Sequence, residues 1–206
     1  TWLKDGERYS RLENNKQTGG TDIVAYRAKD NSREVIIPSS LLTDKSTGRP
    51  IPVRSVSWSA DNEKVLIYNN TRRVWRYDTR GDYWVLNLKD GALRQLGKGM
   101  PESSMMFAKF SPDGTRVAYV SNNNIYVEDI DSGKITQLTK DGSDTIVNGT
   151  FDWVYEEEFS CRDGFRWSPD GKHIAYWQSD TKGTGVFDII NNVDSIYAKV
   201  IHFPYP

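Results

Sequence analysis

Three consecutive carboxylates, Glu156-Glu157-Glu158, stand between Phe151-Asp152-Trp153-Val154-Tyr155 and Phe159. Adjacent carboxylates repel, which raises the proton affinity of one member unless a cation lies between them. A substrate ammonium is such a cation, and at about 4 Å it gains roughly 4 kcal/mol per carboxylate at an effective dielectric of 20, before desolvation is subtracted. The competing reading is a solvated helix face. A second candidate is Arg76, within the basic and aromatic run Arg72-Arg73-Val74-Trp75-Arg76-Tyr77-Asp78-Thr79-Arg80-Gly81-Asp82. Its planar fork suits a peptide carbonyl or a carboxylate. It could equally rest as a surface guanidinium on Trp75 or Tyr77. Other chemistries are poorly supplied. One cysteine, Cys161, allows neither an internal disulfide nor a thiolate cluster, and two histidines, His173 and His202, offer little to zinc. We therefore expect no metal and no cofactor, and a Cys161 that function does not need. No Gly-x-Ser-x-Gly nucleophile elbow occurs, so a Ser-His-Asp triad within this chain is not expected.

The elements that must carry these residues follow from a repeat. Trp2-Leu3-Lys4-Asp5-Gly6 returns as Trp58-Ser59-Ala60-Asp61-Asn62, as Phe110-Ser111-Pro112-Asp113-Gly114 and as Trp167-Ser168-Pro169-Asp170-Gly171, at spacings of 56, 52 and 57 residues. Ser-Pro-Asp-Gly puts Pro and Gly where a type I turn prefers them, so each copy predicts a hairpin bend. Around the third bend, 106–110, 116–120, 125–130 and 134–139 read as four short strands, one blade of a propeller. Copy two has strands over 64–69, 83–88 and 92–96 with a long insertion between its inner pair, and copy one over 8–13, 22–27 and 33–37. The expected fold is all-β: a partial β-propeller of about four four-stranded antiparallel blades, approximately 1–50, 51–100, 101–150 and 160–206. The last copy runs off the chain and the first starts mid-pattern, so an arc of a larger ring is expected rather than a closed one. Both candidate segments interrupt this rhythm, where sites tend to sit on a regular scaffold. For the second, over 151–159, Asp152 as N-cap and glutamates in the first turns predict a short helix.

Composition narrows the partners. With 27 Lys and Arg against 28 Asp and Glu, the net charge is −1 and no charged block favours nucleic acid or an anionic membrane surface. No apolar run approaches the length of a transmembrane helix, and Thr1-Trp2-Leu3-Lys4 lacks a signal peptide's pattern. Asn69-Asn70-Thr71 and Asn148-Gly149-Thr150 fit the glycosylation pattern, a short match that arises often by chance.

Asp152 to Glu158 resembles the Asp-Trp-hydrophobic-Tyr-Glu-Glu-Glu segment of the dipeptidyl peptidase IV family. Residues 144–150 before it are similar to the family's approach to that helix, and Trp167 to Gly171, Ile174-Ala175-Tyr176 and Phe203-Pro204-Tyr205-Pro206 follow in family order. The Trp75-Arg76 pair sits where the family has its substrate-binding arginine. The resemblance implies that Glu157 and Glu158 hold a peptide's N-terminal ammonium and that Arg76 binds the carbonyl of the residue beside it. It also implies an eight-bladed propeller opposite an α/β-hydrolase domain, cleavage after the second residue, usually Pro or Ala, and a parent that forms a homodimer. A periplasmic or extracellular location, with or without a membrane anchor, is the matching expectation. Between Glu158 and Trp167 the chain is about one residue shorter than in familiar members, which leaves the role of Arg162 open. The rival class is a binding or scaffold propeller, including an inactive homologue.

Overall fold

The computed structural model describes residues 1–205, and side chains through His202. Nineteen strands run in chain order. The first sheet has β1 (Arg8–Asn14), β2 (Thr21–Arg27) and β3 (Arg33–Ile37), followed by a small pair, β4 (Thr43–Asp44) and β5 (Arg49–Pro50). The second is β6 (Ser55–Trp58), β7 (Lys64–Arg73), β8 (Asp78–Asn87) and β9 (Leu93–Gln95). The third is β10 (Met106–Phe110), β11 (Arg116–Ser121), β12 (Asn124–Asp129) and β13 (Ile135–Gln137). After β14 (Ile146–Asn148) comes α1 (Trp153–Phe159), then β15 (Phe165–Trp167), β16 (Ile174–Tyr176), β17 (Gln178–Asp180), β18 (Gly185–Asn191) and β19 (Lys199–Tyr205). All pairing is antiparallel between strands adjacent in their sheet.

The bends form as their residue types dictate. Gly6, Asn62, Gly114 and Gly171 all have positive φ, between 61° and 69°, and each N–H donates back to the residue three before it, Leu3, Ser59, Ser111 or Ser168. In the last three the Asp carboxylate accepts from the Ser hydroxyl, as Asp113 does from Ser111 at 2.5 Å. The loop is thus closed by its own side chains.

The inner strands of the second and third sheets are buried on both faces because each of these sheets lies between two others. Along β7, Val65 and Ile67 pack toward the first sheet with Ile23 and Ile37, while Leu66 packs toward the third with Tyr119. Along β11, Val117 and Tyr119 face the second sheet, whereas Ala118 and Val120 meet Phe165 of the fourth copy. Stacking of amphipathic sheets buries what one sheet alone leaves wet.

Several details differ from the sequence-based expectation. Four strands form in the second and third copies; the first has three, with Trp2 joined to Tyr9 by an isolated bridge. In the fourth copy β15 pairs only with β16, because β17 turns away to pair with β14, and β18 and β19 form a separate hairpin. The basic run, expected as an insertion between the inner strands of the second copy, is itself largely strand. Pairing of β7 with β8 continues past irregularities near Asn70 to Arg72 opposite Arg80 and Arg73 opposite Asp78, leaving Val74 to Tyr77 as the turn. Both glycosylation-pattern asparagines are buried: Asn69 has 5% of its surface exposed and Asn148 none, the latter donating to Asp141 and to the carbonyl of Asn123. Among the described residues no helix is long and apolar enough to cross a membrane.

Candidate functional site

Asp152 caps α1: its carboxylate accepts from the backbone N–H of Tyr155 at 3.1 Å. The helix ends at Ser160, which takes a left-handed conformation while the Cys161 N–H closes back on the carbonyl of Tyr155 at 3.0 Å. Two glycines let the chain pass closely here. A Cβ on Gly164 would lie 2.9 Å from the carbonyl carbon of Gly149, and the Gly164 N–H donates to that residue's oxygen at 3.1 Å. The strands that enter and leave the helix segment are thereby pinned together.

The helix is inverted relative to an ordinary amphipathic one. Phe151, Tyr155 and Phe159 stack along one side at centroid distances of 5.4 and 5.6 Å, yet Tyr155 and Phe159 are exposed. The buried residue is Glu156, and the Glu157 side chain is only 12% exposed. Turning carboxylates inward and aromatics outward is costly unless a cation meets them.

The cations come from the second sheet and from the segment after the helix. At the tip of the β7–β8 hairpin Val74 packs onto the cluster around Met106 and Phe165, and its N–H donates to the carbonyl of Tyr77 at 3.0 Å. This holds Arg76 out toward α1, where its Nε pairs with Oε2 of Glu157. From the far side of the helix Arg162 lays its guanidinium over the Tyr77 ring, 3.9 Å from the centroid. Burial raises the proton affinity of the Glu156 carboxyl, and Glu157 adds to that rise while the Arg162 charge opposes it. A cavity of about 220 Å³ lies beneath, lined by Trp75, Arg80, Trp153 and Glu156 among others.

The structure thus brings Arg76 and Glu157 together from segments far apart in sequence. Glu158 lies next on the helix, exposed, and no ion pair joins it to Arg76. The sequence does not single out Glu156 from its triplet, and it offers Tyr77 as a rest for Arg76, whereas in the structure the Tyr77 ring carries Arg162. The only signal was the clustering of Arg and Tyr at the hairpin tip, since the burial of one glutamate of three depends on which way the helix faces. Among the described residues no group of three His, Cys, Asp or Glu side chains is placed to hold a metal ion.

Comparison with known proteins agrees with this architecture. The probable dipeptidyl-aminopeptidase B of Chaetomium globosum is 36% identical over 135 residues, covering 65% of this chain and 15% of its own length. Dipeptidyl aminopeptidase B of Saccharomyces cerevisiae is 34% identical over 164 residues, 77% of this chain and 19% of its own. The chain therefore spans less than a fifth of the length of either relative. The crystal structure of Porphyromonas gingivalis dipeptidyl peptidase 4 superposes with a TM-score of 0.80 at 26% identity, over 99% of this chain and 28% of that one. A family model described as the dipeptidyl peptidase IV (DPP IV) N-terminal region matches residues 59–206. With most of its length inside that match and its sheets stacked as in the P. gingivalis enzyme, the chain belongs to the dipeptidyl peptidase IV N-terminal region family and is a partial β-propeller.

Proposed function

We propose that these residues are the substrate-selecting portion of a serine-type dipeptidyl peptidase, and that Glu157 and Glu158 receive the free ammonium of a peptide while Arg76 receives the carbonyl beside it. The observation that carries this reading is the meeting of Arg76 and Glu157, each from a segment that breaks the blade repeat. A half-buried carboxylate beside a 77% exposed guanidinium can exchange one cation for another. An incoming ammonium, first attracted by the exposed Glu158, takes over the charge of Glu157, and the displaced guanidinium turns its N–H groups to the peptide carbonyl. Requiring a charged amine one residue from that carbonyl would count residues from the N-terminus, which is what removal of a dipeptide demands. The bond-breaking groups belong, in this reading, to an α/β-hydrolase domain facing the propeller, with Xaa-Pro and Xaa-Ala peptides as substrates. The location we propose is periplasmic or extracellular, with or without a membrane anchor, and the assembly a homodimer.

The test is charge removal at constant shape in the full-length protein. Glu157→Gln or Glu158→Gln should lower kcat/KM for free-amine dipeptidyl substrates at least about 30-fold, since truncating half of a desolvated charge pair costs about 2–5 kcal/mol. N-acetylated peptides should be poor substrates for the parent and nearly indifferent to either change. Folded variants that cleave free-amine substrates at the parent rate would return the triplet to a solvated helix face.

A further inference from the structure

Arg162 stands outside the three residues of the proposed clamp, yet it touches both elements that carry them. Its backbone leaves the end of α1, and its carbonyl accepts from the hydroxyl of Thr150, just before the helix, at 3.0 Å. Its guanidinium carbon lies 3.9 Å from the centroid of the Tyr77 ring, on the hairpin tip. Tyr77 is the immediate neighbour of Arg76. The tip and the helix are therefore joined by two crossing contacts, Arg76 reaching to Glu157 and Arg162 reaching back to Tyr77.

The two contacts differ in what substrate can do to them. The Arg76 side chain is exposed, and in the proposed function it must leave Glu157 when an ammonium arrives. The Arg162 contact needs no such exchange. Its Nη1 is buried with no hydrogen-bond partner, and so is Oε1 of Glu156. The guanidinium's charge also favours the ionised form of the Glu156 carboxyl, against the burial that disfavours it.

We infer that Arg162 is a positioning residue: by clamping the Tyr77 ring against the end of the glutamate helix, it holds the hairpin tip so that Arg76 stays in reach of the substrate when Glu157 changes partner. This rests on the proposed function of Arg76 and the glutamates. It acts on where Arg76 sits, not on the bond that breaks, so its loss falls on substrate binding and leaves the chemical step alone.

The experiment uses the full-length protein and free-amine dipeptidyl chromogenic substrates. Arg162→Ala should raise KM about tenfold with kcat within about twofold of the parent, the pattern of lost uniform binding. Arg162→Lys, which keeps a cation over the ring, should recover most of that loss. Tyr77→Leu should match Arg162→Ala, and the double variant should be no worse than either single one. Should Arg162→Ala not fold, Arg162→Lys and Tyr77→Leu carry the comparison, since Tyr77 is half exposed. Unchanged KM in folded Arg162→Ala or Tyr77→Leu, or effects of the two that multiply, would overturn the inference. Glu157→Gln measured alongside separates the levels. Full activity there removes the clamp and this inference with it, whereas a large loss there with unchanged KM at Arg162 removes this inference alone.

Discussion

Lys109 shows how strongly one residue can be tuned near the site. Its Nζ lies 2.5 Å from Oδ1 of Asp163, donates to the carbonyl of Phe165 at 3.1 Å, and sits 3.5 Å from the centroid of the Phe165 ring. It ties the third blade to the segment that leaves the glutamate helix. Burial pushes the ammonium down to about 8 from its ordinary 10.5, with Asp163 opposing. A lysine whose folded value lies below its unfolded one destabilises the fold wherever it is charged in the folded state. That penalty is complete below about pH 8 and is relieved as the pH rises toward 10.5. Side-chain NMR should find a midpoint for Lys109 near 8. The stability of the parent relative to Lys109→Met should grow between these pH values in denaturant titrations. A flat or falling difference would mean that the ammonium is better solvated than its neighbours suggest. Asp163 keeps a partner in the variant, since Arg166 Nη1 lies 2.8 Å from its other oxygen.

At the scale of an element, the bend at Ser111 to Gly114 is the clearest unit. The Ser111 hydroxyl and then the Thr115 N–H hold the Asp113 carboxyl at about 2, below its ordinary 3.8. Its contribution to the bend is whole above pH 3.8 and is lost as the pH falls toward 2. Gly114 has φ +67°, and a Cβ there would meet nothing closer than 3.6 Å, so backbone strain and not crowding sets the cost of substitution. Gly114→Ala should cost about 1–2 kcal/mol in thermal unfolding. Gly114→Asn should cost less, because Asn62 holds the same position of the second bend at φ 61°. Equal losses for the two would mean that the strain argument fails and that the side chain is being excluded.

For the whole molecule, the β18–β19 hairpin stands apart from the stacked sheets. Val186 and Ile190 are 65% and 68% exposed, and Val193 and Ile196 at its tip more so. A two-stranded ribbon is marginal alone in water, and apolar residues on its surface call for a partner. We propose that this partner is the same ribbon of a second copy, within the homodimer proposed above. Sedimentation velocity should find the full-length protein associated, and Val186→Lys with Ile190→Lys should shift it to monomer without loss of secondary structure. A monodisperse parent monomer would remove the homodimer from the proposal.

Residue order alone determined whatever closes over a few residues. The four bends, the Asp152 cap and the short helix after it follow from local turn chemistry, in which donor and acceptor lie three residues apart. The two interruptions of the repeat were visible for the same reason, as places where a local pattern stops. Tertiary structure decided the rest. That β7 and β8 keep pairing through Arg72 and Arg73 depends on cross-strand register, not on the basic residues themselves. That β17 leaves the fourth sheet for β14 depends on a strand distant in sequence. Which glutamate is buried, and that Arg76 meets Glu157 while Arg162 meets Tyr77, are fixed by how the third sheet stacks between the second sheet and the strands of the fourth copy. The short range of hydrogen-bond geometry makes bends legible in sequence, whereas the contacts of a site exist only once separate sheets have packed and set the distance between them.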